Sequence, residues 1–160
     1  MDLLIVAVGR LKRGSETELC SRYLDRTAAA GRAVGLSRVQ VREVPESRAQ
    51  RAADRKLQEA EALSAAIPAG FQTVCLDETG DPVDSQGLAQ LVRRAADQAV
   101  PGQAFLIGGA DGLDAGLIRQ CGRRLSFGRT TWPHQLVRVM MAEQLYRVMT
   151  MLSGHPYHRV

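Results

Sequence analysis

The segment Phe127-Gly128-Arg129-Thr130-Thr131-Trp132-Pro133-His134 gathers two hydroxyls, a guanidinium, a flat apolar ring and an imidazole within eight residues. Pro133 fixes its own backbone and disfavours helix at Trp132, so the imidazole falls where a following helix must begin. An imidazole there suits proton transfer, and it equally suits capping or packing; the spacing alone leaves both open. A second stretch, Gly108-Gly109-Ala110-Asp111-Gly112, follows the apolar run Ala104-Phe105-Leu106-Ile107. Glycines at such a point let a ligand approach the backbone and leave amide N–H groups free to donate. Their spacing is neither GxGxxG nor GxxxxGK[ST], so neither a Rossmann fingerprint nor a P-loop is present, and a purely structural turn stays open. The third stretch is His155-Pro156-Tyr157-His158-Arg159-Val160. Its rings can stack on a base and its cation can meet a phosphate. The three histidines lack a zinc-ligand spacing and have no Cys or carboxylate beside them, so no metal is expected. Asp77 and Glu78 end another apolar run, where they could act as a base, bind a ribose or form a solvated turn.

These groups need a scaffold, and the hydropathy pattern supplies one. Residues 3–8 form a continuous apolar run closed by Gly9, as in a strand buried on both faces. A helix is predicted over residues 15–30, with Ser15 and Glu18 at capping-box spacing. Val39, Val41 and Val44 mark a second strand. Residues 47–67 read as a helix stopped by Pro68 and Gly70. A third strand spans 71–76; a helix capped by Asp84 runs to residue 99; a fourth strand covers 104–107. Asp114 starts a short helix, 125–127 form a last short strand, and 135–152 the final helix, ended by Ser153-Gly154. Strands alternating with helices predict an α/β fold, a mainly parallel sheet with helices on both faces. No linker divides the chain, so residues 1–160 read as one domain.

The final helix is apolar around nearly its whole circumference, from Leu136 to Leu152, with polar breaks mainly at Arg138, Glu143, Gln144, Arg147 and Thr150. Such a helix must be covered on most sides. A homodimer interface through this C-terminal helix is the expectation; a central helix inside a monomer is the alternative.

Composition adds limits. The chain has 160 residues, 45% hydrophobic and 24% charged, with a net charge of +4. That excludes disorder, and no apolar run is long enough to span a membrane. The start lacks a basic lead-in and a long enough apolar run for a secretory signal, so a cytoplasmic protein is expected. Nineteen of the 21 basic residues are Arg, a pattern that reflects a general compositional bias as readily as phosphate binding. Residues 115–160 nevertheless hold seven Arg and one acid, Glu143, and all three His. That end is expected to carry the anion-facing field. Cys20, Cys75 and Cys121 are odd in number and widely spaced, which predicts neither a disulfide framework nor a zinc site.

Taken together, Val6-Ala7-Val8-Gly9, Leu76-Asp77 with Gly80, Phe105-Leu106-Ile107-Gly108-Gly109 with Gly112-Leu113, Pro133-His134-Gln135-Leu136-Val137-Arg138, Glu143-Gln144-Leu145-Tyr146-Arg147 and His155-Pro156-Tyr157-His158-Arg159 are similar in order and spacing to the ribosomal RNA large subunit methyltransferase H family, a small branch of the SPOUT methyltransferases. The resemblance spans essentially the whole chain. It implies a SPOUT-type α/β fold with a trefoil knot near the C-terminus, S-adenosylmethionine as methyl donor, and a homodimer. The implied substrate is N3 of a pseudouridine in helix 69 of 23S rRNA, within the assembled ribosome. Cofactor contacts are implied at Leu76, at Gly108, and along Phe127, Gly128, Arg129, Thr130, Thr131 and Trp132. The resemblance also implies that the tail completes a composite site with the partner subunit. N3 must lose a proton, so a base or an anion-favouring cation is needed; His134, Arg138, Tyr157, His158 and Arg159 are the catalytic candidates, with the base open among them and Tyr157 able to stack. The sequence departs from the family at Ala110, where Pro is common, and at Arg129 and Trp132, where smaller or aliphatic residues are usual. Two competing readings remain: a non-catalytic RNA- or ribosome-binding dimer, separated by specific S-adenosylmethionine binding, and a small-molecule enzyme using another nucleotide, disfavoured by the missing fingerprints.

Overall fold

Every side chain from Leu3 to Val8 is fully buried, as a strand between two layers requires. Leu3, Ile5 and Ala7 face one helical layer; Leu4, Val6 and Val8 face the other. The computed structural model describes residues 1–154; the tail residues Tyr157, His158 and Arg159 lie outside the described residues. Strands β1 (Asp2–Val8), β2 (Arg38–Val44), β3 (Gln72–Pro82), β4 (Gly102–Ile107) and β5 (Arg123–Ser126) pair in the order β2-β1-β4-β3-β5, all parallel. Helices α1 (Ser15–Gly31), α3 (Ser85–Asp97) and α5 (His134–Leu152) cover one face, and α2 (Ala52–Ala65) and α4 (Ala115–Gln120) cover the other. The parallel α/β sheet with helices on both faces is as the sequence predicts.

Two predicted caps form. The Asp84 carboxylate accepts from the Gly87 N–H at 2.7 Å, and that of Asp114 from Gly116 and Leu117 at 2.6 and 3.1 Å. The capping box at Ser15 does not: Gly14 occupies the cap position and no side chain caps α1. Helix α2 begins at Ala52 rather than residue 47, because the Arg55 guanidinium binds the carbonyls of Ala49 and Gln50 and holds residues 45–51 as a loop. The expectation of no disulfide is also corrected. Cys75 in β3 is bonded to Cys121, which follows α4. The register that sets Cys75 beside Arg124 of β5 brings the two sulfurs together, and their spacing of 46 residues gives no hint of it. Cys20 stays a free, buried thiol whose pKa is pushed up by burial, against the lowering effect of Arg138.

Strand β3 is longer than predicted. It pairs with β5 through Leu76, breaks at a bulge, and resumes with Asp81 opposite Leu125 and Pro82 opposite Ser126. At the bulge Gly80 lies against the next strand; a Cβ there would stand 2.6–2.9 Å from Leu125 backbone atoms. No other residue fits that crossing.

Helix α5 lies between α1, α3 and the sheet, so much of the apolar circumference that suggested a dimer is covered within the chain itself. Its first turns are fixed by Arg138, which is 1% exposed. The guanidinium donates to Glu43 at 2.5 Å, to the Val8 carbonyl at 3.3 Å and to the Gly9 carbonyl at 2.8 Å. Glu43 in turn accepts the Leu11 N–H at 2.9 Å. One buried cation thereby joins α5 to the carboxyl ends of β1 and β2. Replacing Arg138 by Leu leaves Glu43 and two carbonyls without it, and should cost about 3 kcal/mol in urea unfolding. Arg138→Lys should lose less, since it keeps the charge but not the fork of donors; equal stability of both variants and wild type would refute this role.

Candidate functional site

Strands β4 and β5 end beside the bulge of β3, and the loops leaving them enclose with it a cleft of about 660 Å³. That lies within the range of about 300–1,000 Å³ typical of ligand sites, and it stands beyond the carboxyl ends of a parallel sheet. Leu76, Ile107, Leu113, Leu125, Phe127, Trp132 and Val137 give it apolar walls; Asp77 and Glu78 bring carboxylates to it.

Of the residues singled out from the sequence, Leu76, Gly108, Phe127, Gly128, Thr130, Thr131, Trp132 and His134 all line this one cleft. Arg129 is exposed and does not line it. Arg138 lies below, buried on Glu43 and the β1 carbonyls. Tyr157, His158 and Arg159 are outside the described residues.

The glycine turn is closed by a Gly112 N–H to Gly109 carbonyl bond at 3.0 Å. Gly112 has φ +81°, a conformation that favours glycine. At Gly108 a Cβ would approach Gly112 and Leu113 backbone atoms to 2.7–2.9 Å. Behind the turn lies Glu59, buried, with one oxygen accepting the Ser47 N–H at 3.0 Å and the other near Gly109. In the opposite wall Ser126, in β5, accepts the Gly128 N–H at 3.1 Å and donates to the Gly128 carbonyl at 2.8 Å. The Thr131 hydroxyl donates to Glu78 at 3.1 Å, tying residues 127–133 to the end of β3. Asp77 accepts from the Thr79 N–H at 2.9 Å and from its hydroxyl. His134 opens α5 with Nε2 3.8 Å from Glu46.

Sequence reasoning missed the fastening of the turn. Arg55 donates from Nε to Asp111 at 2.6 Å and from a terminal nitrogen to its other oxygen at 3.1 Å. The same guanidinium holds Ala49 and Gln50, so it couples the loop after β2 to the turn after β4. Arg55 lies 56 residues before Asp111, on an Arg- and Glu-rich helix where it reads as one more solvated charge. The hydrogen bond to Arg55 holds the Asp111 carboxyl below its ordinary range, outweighing partial desolvation. Among the described residues no group of three or more His, Cys, Asp or Glu is placed to hold a metal, and no helix is long and apolar enough to cross a membrane.

The donor set fits an adenosyl sulfonium. Apolar walls suit a heteroaromatic base; Asp77 and Glu78, the third carboxylate at the cleft, Asp111, being held by Arg55, suit sugar hydroxyls and a positive charge.

A family described as "Predicted SPOUT methyltransferase" matches residues 1–158. Among curated relatives, a "Ribosomal RNA large subunit methyltransferase H" of Rhodopseudomonas palustris strain HaA2 is 50% identical over 159 residues, 99% of each chain. One of the same name from Bradyrhizobium sp. strain BTAi1 is 49% identical, again over 99% of both chains. Among solved structures, a probable methyltransferase from Bordetella pertussis Tohama I superposes with a TM-score of 0.51 at 16% identity, over 92% of this chain and 95% of that one, and shares the fold.

If Arg55 fixes the turn, Arg55→Ala should lower amide-exchange protection across residues 109–113 about three- to tenfold. In the wild type that protection should hold as pH falls through the ordinary carboxylate range. It should be lost only as pH passes the lowered Asp111 value, since a depressed acid stabilises above its unfolded pKa and not below its folded one. Unchanged protection in Arg55→Ala would exclude the coupling.

Proposed function

The chain belongs to the SPOUT methyltransferase family, among the ribosomal RNA large subunit methyltransferase H enzymes, and we propose that it transfers a methyl group from S-adenosylmethionine to N3 of a pseudouridine in helix 69 of 23S rRNA within the assembled ribosome. The observation that carries this reading is the convergence of Leu76, Gly108 and the 127–132 loop, three segments far apart in sequence, on one cleft. Membership of a methyltransferase family replaces the non-catalytic alternative. The family's knotted chain path is part of the proposal, supported by the crossing of Gly80 against Leu125 and the resumed pairing of β3 with β5.

Bound S-adenosylmethionine supplies an electrophilic methyl whose bonding electrons leave with sulfur, so the protein's task is chiefly alignment. The turn at Gly108 and the loop at 127–132, whose Gly128 backbone is held by Ser126, would hold the base between them, and Leu76, Phe127 and Trp132 would exclude water from it. Asp77 and Glu78 favour the cationic end. The imide N3 must lose its proton before or as it attacks. His134 lines the cleft, with Glu46 3.8 Å from its Nε2, and is the side chain placed to accept that proton. Arg138 acts here as a positioning residue, holding the first turn of α5 and with it His134.

Helix α5 also bears on the homodimer. It has 19 residues, a rod of about 28 Å. It begins at the cleft and ends at Leu152, which lies with Met1 at the opposite end of the sheet. In this reading the tail residues Tyr157, His158 and Arg159 complete the cleft of a second copy, as the family resemblance implies. Trp132 and Leu136, both exposed at 43% and 40%, stand at the head of α5 where such a copy would cover them.

The test is transfer of labelled methyl to ribosomes lacking the modification, with free 23S rRNA in parallel and nucleoside analysis of the product. 3-Methylpseudouridine on ribosomes is the expected result; cofactor binding without transfer to either substrate would overturn the substrate assignment. His134→Ala should lower kcat about a hundredfold with cofactor affinity held within about twofold. Tyr157→Ala or Arg159→Ala should weaken ribosome methylation while leaving cofactor affinity intact, whereas parallel loss of both would remove the tail from the RNA side.

A further inference from the structure

Among the described residues of 115–160, the arginines do not gather at the cleft. Arg138 is buried on Glu43 and Arg147 donates to Glu143. Arg119 closes α4, while Arg123 and Arg124 begin the edge strand β5, before its carboxyl end. Arg129 alone remains in the cleft loops among the described residues of that segment.

Another set of cations stands beside the cleft. Strands β1 and β2 are parallel neighbours, so the loops that leave them, residues 9–14 and 45–51, emerge together. The Gly9 N–H donates to the Val44 carbonyl at 2.8 Å, and Leu11 N–H to Glu43. The first loop carries Arg10, Lys12 and Arg13 and no acid; the second carries Glu46, Arg48 and Arg51, of which Arg51 pairs with Asp54 and is set aside. The four remaining cations are exposed, and none makes an ion pair among the described residues. The nearby acids are already engaged or set aside. Glu43 neutralises Arg138, Glu46 stands 3.8 Å from His134, and Glu16 and Glu18 occupy the first turn of α1, where carboxylates complement the helix N-terminus. His134 belongs to the cleft and through Glu46 adjoins residues 45–51, so the cation set continues directly from the reacting end of the site.

We propose that Arg10, Lys12, Arg13 and Arg48 form the phosphate-binding surface that docks the rRNA substrate at the mouth of the cleft. The proposal rests on the rRNA methyltransferase reading above. Exposed, unpaired cations on two adjacent loops meet a phosphate backbone by releasing its counterions, which fixes the RNA's position without reading its sequence. The surface supplies affinity; the cleft and His134 supply chemistry.

The test replaces all four by Ala in the full-length protein and measures steady-state transfer to ribosomes at several salt concentrations. The expected result is a KM for ribosomes raised about tenfold or more, kcat and S-adenosylmethionine affinity within about twofold, and a salt slope reduced by about one for each phosphate no longer neutralised. Arg123→Ala with Arg124→Ala removes charge elsewhere and should move neither KM nor slope by more than about a quarter of that effect. An unchanged KM and slope in the four-residue variant, or an effect per charge as large from Arg123 and Arg124, would overturn the docking surface. Absence of transfer by the wild type would instead overturn the reading on which it rests.

Discussion

A single buried guanidinium sets the geometry of this molecule. Arg138 reaches from the second turn of α5 to a carboxylate on β2 and two carbonyls at the end of β1. An isolated cation in that position would be expensive to desolvate, and each of its three partners offsets part of the cost. The joint also reaches outward. Glu43 binds Leu11 as well as Arg138, so the loop after β1, the end of β2 and the head of α5 are one connected unit. His134 lies one turn before Arg138 and takes its place from it. Cleft, imidazole and basic loops share this anchor.

A second fastening works on the other side of β4. The Arg55 guanidinium clasps Asp111 and the carbonyls before α2, and the Thr131–Glu78 and Ser126–Gly128 contacts hold the facing wall. The cleft is thus shaped by its own lining as well as from behind: Asp111, Ser126, Glu78 and Thr131 line it, while Arg55 holds Asp111 from outside.

Much of this was legible in the sequence. The unbroken apolar run from Leu3 announced a doubly covered strand; alternation of strands and helices gave the layers; Asp84 and Asp114 declared their caps. The cleft residues emerged because glycine, proline and aromatic residues leave local signatures at strand ends. What escaped was long-range. The Cys75–Cys121 bond, the Arg55–Asp111 clasp and the Glu43–Arg138 pair join residues 46, 56 and 95 positions apart. Each is decided by sheet register or helix placement, which no local pattern encodes. Arg138 shows the point from the other side. Its motif marked it as important, and only the fold shows that its partners lie inside the protein. The charge count is coarse in the same way, since it sums arginines that, among the described residues, lie in different places.

Helix α5 follows every strand in the chain, yet it covers the face formed by Leu3, Ile5, Ala7 and Phe105. During synthesis, which proceeds from the N-terminus, that apolar face exists before the helix that shields it. The nascent protein therefore carries a half-core that α1 and α3 cover only in part until α5 emerges. Wrong association in that interval is a hazard peculiar to a fold whose first strand waits for its last helix.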